Sequence, residues 1–123
     1  MAQGWLDNLF ESEGHHLISN TFRENLWRMH LNGVGNDFDL RLNNKVISVS
    51  KSVLAAESEY FARTLTVDQT RFVANDVDLP AVEKTIEFMY RGRLDQYTEQ
   101  IGDVAYQLGC RELLHLCLES SEQ

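Results

Sequence analysis

Cysteine is scarce in this chain, with two in 123 residues. Cys110 and Cys117 are seven positions apart, about 10 Å along a helix, beyond the reach of a disulfide. Free thiols of this kind suit a reducing, intracellular compartment. Positive charge is also short: 11 Lys and Arg against 19 Asp and Glu leave a net charge of −8. A nucleic-acid-binding segment needs a basic footprint, and so does attraction to an anionic membrane, so neither partner is expected. No apolar run approaches the roughly 18 residues of a membrane-spanning helix. The opening Met-Ala-Gln-Gly-Trp lacks the basic and apolar regions of a secretory signal, so none is expected.

The motifs of catalysis are missing as well. There is no Gly-x-Ser-x-Gly elbow, and Gly33-Val-Gly35 precedes a strand instead of opening a helix, which excludes a phosphate loop. Zinc sites need four ligands, commonly in close pairs. His115 and Cys117 fall about 200° apart on a helix and cannot share one ion. His15, His16 and His30 read as surface histidines, and the two cysteines as buried thiols. Glu57 with Glu59, and Asp76 with Asp78, read as solvated faces and turn residues. No cofactor, no metal and no enzymatic activity is therefore expected, and function has to lie in surfaces.

What is present is a single-domain composition, 43% hydrophobic and 24% charged. Phe38, Leu40 and Leu42 alternate with Asp37, Asp39 and Arg41, the period of a half-buried strand. Asn43-Asn44 supplies a tight turn, because Asn tolerates left-handed backbone angles. Val46, Ile47 and Val49 are β-branched and suit a second strand. Ser50 is placed to cap one buried helix carrying Val53, Leu54, Phe61 and Leu65.

Ahead of this unit, Ile18, Phe22, Leu26 and Met29 recur at helical spacing, with Trp27 and Leu31 widening the stripe, which predicts a helix from Leu17 to Leu31. Thr21 and Glu24 fit a capping box, so that helix begins or bends near Phe22, and Gly33 ends it. Trp5, Leu6, Leu9 and Phe10 form an apolar cluster that reads either as a loose terminus or as an element docking on a partner subunit. After the hairpin unit, Phe72 to Val77 reads as a short strand. Pro80 is placed at the first position of a helix through Val82, Ile86 and Met89, which Gly92 stops. Ile101, Val104, Ala105 and Leu108 mark a further helix, Gly109 breaks it, and Leu113 to Leu118 mark the last.

The stretch from Asp37 to Phe61 resembles the opening signature of BTB/POZ domains. Asp37, Leu40, Lys51, Val53, Leu54, Ala55, Ala56, Ser58, Tyr60 and Phe61 fit that signature. Ser50 departs from it, where most of the family has His. Asn75-Asp76-Val77, the helix ending Tyr90-Arg-Gly92, and Ala105, Leu108, Leu113 and Cys117 match further blocks in the same order. The resemblance spans Leu17 to Leu118. It implies an α+β fold, a helical cluster flanked by a small three-stranded sheet, with an extra N-terminal helix. Residues 1–16 would be an extension, and 17–123 the domain, including a dimerisation helix at 17–32.

It further implies a protein–protein interaction domain that forms homodimers, the N-terminal module of a larger regulatory protein such as a transcriptional regulator. Ile18, Phe22, Leu26, Trp27 and Met29 would form the dimer interface. Asp37 and Lys51 would form a charged pocket beside it. Other proteins, a corepressor or a cullin, are the further partners this resemblance brings. The alternative is a substrate adaptor of a cullin-based ubiquitin ligase, weakened here because no Glu lies between Leu65 and Leu79. Either role puts the chain in the nucleus or cytoplasm, with the nucleus favoured.

Overall fold

The computed structural model describes the backbone of residues 12–121 and the side chains of residues 21–120. Within them six helices surround three strands. The cluster Trp5, Leu6, Leu9 and Phe10 lies outside the described residues, as does the side chain of Ile18.

The hairpin forms as its alternation dictates. In β1 (Phe38–Leu42) the apolar residues are buried and Arg41 is exposed. Asn43 and Asn44 both take positive φ, 50° and 68°. Two such residues make the turn whose twist matches paired strands. β2 (Lys45–Val49) returns antiparallel, with Val49 opposite Phe38 and Lys45 opposite Leu42. The two asparagines do different work. The Asn43 side chain donates to the Val77 carbonyl at 2.7 Å and accepts from the Val77 amide at 3.1 Å. Asn44 makes no such bond, so Asn44→Gly is expected to stabilise the fold by roughly 0.5 kcal/mol, relieving the left-handed residue. Asn43→Gly should cost about 1–2 kcal/mol by releasing Val77. Paired urea melts check the opposite signs.

The single helix expected after the hairpin is two. α2 (Lys51–Glu57) is capped by Ser50, whose hydroxyl accepts from the Val53 amide. It stops at Ser58, which takes an extended conformation and starts α3 (Glu59–Thr64). The continuous apolar spacing hides this break, because one residue out of helix re-aims α3 without changing which side chains are apolar.

β3 (Arg71–Ala74) lies parallel to β1, giving the strand order β2-β1-β3. It is shorter than the expected 72–77. Asp76 turns left-handed at φ 60°, and the Asn43 clamp holds Val77 out of the ladder. α4 (Leu79–Arg91) is capped by Asp78, which makes Pro80 its second residue and not its first. Gly92 ends it at φ 74°. α5 (Glu99–Leu108) ends on Gly109, and α6 (Arg111–Ser121) closes the fold.

The leading helix, α1 (Ser12–Leu31), starts five residues before Leu17 and passes through Thr21 and Glu24 unbroken. The capping-box pattern caps nothing there, since the backbone is already helical, and Glu24 pairs with Arg91 and Arg93 instead. Phe38, Val49, Leu54 and Leu113 are the largest fully buried apolar side chains. α4 runs through this core and offers each of its sides to a different neighbour, which sets up the surfaces below.

Candidate interaction surfaces

α1 docks on one side of α4. Trp27 stacks on His30 at 5.2 Å, and His30 meets the Tyr90 ring at 4.5 Å. The Tyr90 hydroxyl accepts from the Ser50 amide at 2.9 Å, which ties the same ring to the start of α2. Burial raises the Tyr90 phenol above its ordinary value; the Ser50 amide opposes the rise and the Asp37 charge adds to it. Around the rings runs a partly exposed ionic cluster: Arg91 to Glu87 at 2.7 Å and to Glu24 at 3.3 Å, and Arg93 to Glu24 at 3.1 Å. Burial would raise the Glu24 carboxyl, but hydrogen bonds from Arg93 and Arg91 outweigh it and hold the group below its ordinary value. Its contribution therefore holds above the unfolded carboxylate range and is lost as pH falls through the lowered value.

The five residues read from sequence as an interface divide into groups. Leu26 and Trp27 are half-buried against the domain's own core. Phe22 and Met29 are 61% and 43% exposed. They are seven residues apart and so lie within about 20° of each other on the helix. Ile18, one turn earlier, falls on the same stripe by position. At the end of the helix Leu31 and Val34 are exposed too; sequence periodicity left Val34 out because it follows the Gly33 stop.

Asp37 and Lys51 adjoin through backbone. The Asp37 carboxylate accepts from the Lys51 amide at 2.8 Å, and the Asp37 amide donates to the Val49 carbonyl at 3.0 Å. The Lys51 ammonium is bonded elsewhere. It donates to the carbonyls of Thr66, Val67 and Gln69, the last two at 2.9 and 2.7 Å. Nothing in the hairpin pattern pointed to this, because those carbonyls belong to the loop after α3.

On the other side of α4, Val82, Ile86 and Met89 face a cleft of about 460 Å³. Leu54, Phe61, Phe72 and Val104 line it as well. Phe61 and Phe72 meet edge to face at 5.3 Å. Asp76, Asp78 and Asp103, all exposed, line its mouth. Six elements contribute, so no local motif marks it. Cys110 and Cys117 lie outside this lining, buried and free. Burial, helped by the Glu57 charge, pushes the Cys110 thiol up to about 12.

A mixed three-stranded sheet, a hairpin feeding a broken helix, and a leading helix laid across the core define an α+β fold. The BTB/POZ domain model matches residues 28–123, and the chain belongs to that family of protein-interaction domains. Among solved structures the BTB domain of zebrafish PATZ1 superposes with a TM-score of 0.74 at 23% identity, covering 93% of this chain and 97% of that one. The BTB domain of human gigaxonin gives 0.69 at 22% identity, covering 82% and 88%. Both share the fold. The curated proteins contain no match to this chain.

Proposed function

We propose that this domain forms a two-fold homodimer through the outer stripe of α1 and serves as the interaction module of a larger regulatory protein. The observation that carries this reading is the division of α1. Its inner side is already filled by Leu26, Trp27 and His30 packed toward α4, so Phe22 and Met29 add nothing to the domain's own core. Aromatic and Met side chains are the types enriched where one protein surface meets another. A helix of 20 residues is about 30 Å long. Two such helices, crossing with their stripes together, supply the centre of an isologous interface. The reading puts about 1,500 Å² or more out of solvent in total. Asp37 and Lys51 would border that interface. The buried free thiols favour a reducing compartment, the nucleus or cytoplasm.

Light scattering at micromolar concentration tests the dimer. The native chain should give twice its 14.2 kDa mass. Phe22→Asp combined with Met29→Asp should give the single-chain mass with an unchanged far-UV spectrum. A native sample at the mass of one chain overturns the reading.

A further inference from the structure

We propose that the cleft beside α4 is a second binding surface, and that it takes a basic amphipathic segment of a partner protein. The walls supply the first half of this chemistry. Exposed Tyr60 and half-buried Phe72 and Val104 present aromatic and aliphatic surface over a floor of buried Phe61, Ile86 and Met89, around about 460 Å³. That lies within the range of preformed ligand pockets, and it is room for two or three apolar side chains. The mouth supplies the second half. Asp76, Asp78 and Asp103 line it, and no Lys or Arg is among the lining residues. Asp78 already accepts from the Ala81 amide as the cap of α4. Neither Asp76 nor Asp103 has an ion-pair or hydrogen-bond partner among the described residues. An occupant that buries apolar anchors here brings its flanks against these carboxylates, and only cationic flanks are attracted.

Charge also decides between occupants. A second copy of this chain carries −8 and would meet an acidic mouth with an acidic surface. The chain's own segment 1–11 has apolar residues but also Asp7 and Glu11, with no Lys or Arg. A basic partner has neither problem. The remaining lining fits a helical guest, since apolar anchors spaced i, i+3, i+4 and i+7 enter a cleft while lysines between them stay at its edge. The surface is independent of the α1 stripe. Val82, Ile86 and Met89 lie on one side of α4, and Arg91, which bonds α1, lies roughly 140–180° away around the helix.

The chain's three methionines give a direct test. Met89 lines the cleft, Met29 lies on the α1 stripe, and Met1 is the first residue. The probe is a fluorescein-labelled peptide of leucine and lysine with Leu at i, i+3, i+4 and i+7. Its counterpart with Glu for Lys is the control. The full chain should bind the basic peptide with an affinity of about 10 μM and should not bind the acidic one. In a sample with methyl-labelled methionine, the Met89 signal should move and the Met29 signal should stay. Asp76→Lys with Asp103→Lys, both at exposed positions, should weaken binding by about tenfold or more, as should Val104→Trp, which fills the cleft. Equal binding of the two peptides overturns the proposal. So does an unmoved Met89 signal, whatever the folding of Val104→Trp, because attraction to the acidic surface alone leaves that methyl untouched. Light scattering on the same samples reads the dimer separately, so either proposal can fail without the other.

Discussion

Replacing Lys51 with methionine is expected to destabilise the domain by about 3 kcal/mol. Methionine keeps an apolar side chain of similar length, while the lysine ammonium lies 6.0 Å over the Phe38 ring. What it removes is the charged donor shared by the Thr66, Val67 and Gln69 carbonyls. A hydrogen bond to a charged group contributes about 1.5–3 kcal/mol. Thr66 and Val67 are exposed, so water can replace part of the loss there, while Gln69 is half-buried. One to two bonds' worth is therefore the expected net cost. Asp37→Asn should behave differently. Asn keeps an oxygen that can accept from the Lys51 amide, and the change should cost less than about 1 kcal/mol. Thermal melts of the two variants separate these sizes, and hydrogen exchange at residues 66–70 should rise only for Lys51→Met. Equal small effects from both would mean that the ammonium does not hold the loop.

Ser58→Ala is expected to cost a similar amount, about 2–3 kcal/mol, from a single oxygen atom. Ser58 is 1% exposed. Its hydroxyl accepts from the Phe61 amide at 3.1 Å, capping α3, and donates to the Leu108 carbonyl at 2.6 Å, at the end of α5. Losing a cap costs about 1 kcal/mol, and leaving the half-buried Leu108 acceptor without its donor adds about 1–2 kcal/mol. The backbone is expected to stay in place, because the Ser58 amide still donates to the Leu54 carbonyl. In urea the midpoint should fall while the slope stays fixed, the mark of a native-state loss without a change in unfolded compactness. A midpoint within experimental error of the native chain's would show that the Leu108 carbonyl finds another donor.

Much of this fold was legible because its signals are local. The alternation through Phe38, Leu40 and Leu42, the Asn43-Asn44 turn, the Ser50 cap and the stops at Gly92 and Gly109 are each written within a few residues, and each appears in place. Three of the failures share one physical origin. Ser58 breaks a helix because its hydroxyl meets α5, fifty residues along the chain. β3 ends early because Asn43 reaches Val77. Lys51 bonds a loop whose carbonyls cannot be placed from its own neighbourhood. The interaction surfaces follow the same rule. The stripe on α1 could be read as apolar, but which of its members face inward depends on Tyr90 and Arg91. The cleft, assembled from six elements, left no trace in any one of them.

The strand order carries a consequence for the route by which the chain reaches this structure. β1 and β2 are joined by two residues, so their pairing closes on the timescale of an isolated hairpin, about 1–10 μs. β1 and β3 are parallel, and the chain between Asp39 and its partner Arg71 contains the rest of the hairpin and both short helices. That closure bears the entropy of the whole loop, so it is expected to follow the hairpin. The sheet is therefore expected to assemble in two steps, with β1 serving first as half of a hairpin and then as the central strand. Asn43 belongs to both stages, turning the hairpin at the outset and latching Val77 when β3 arrives.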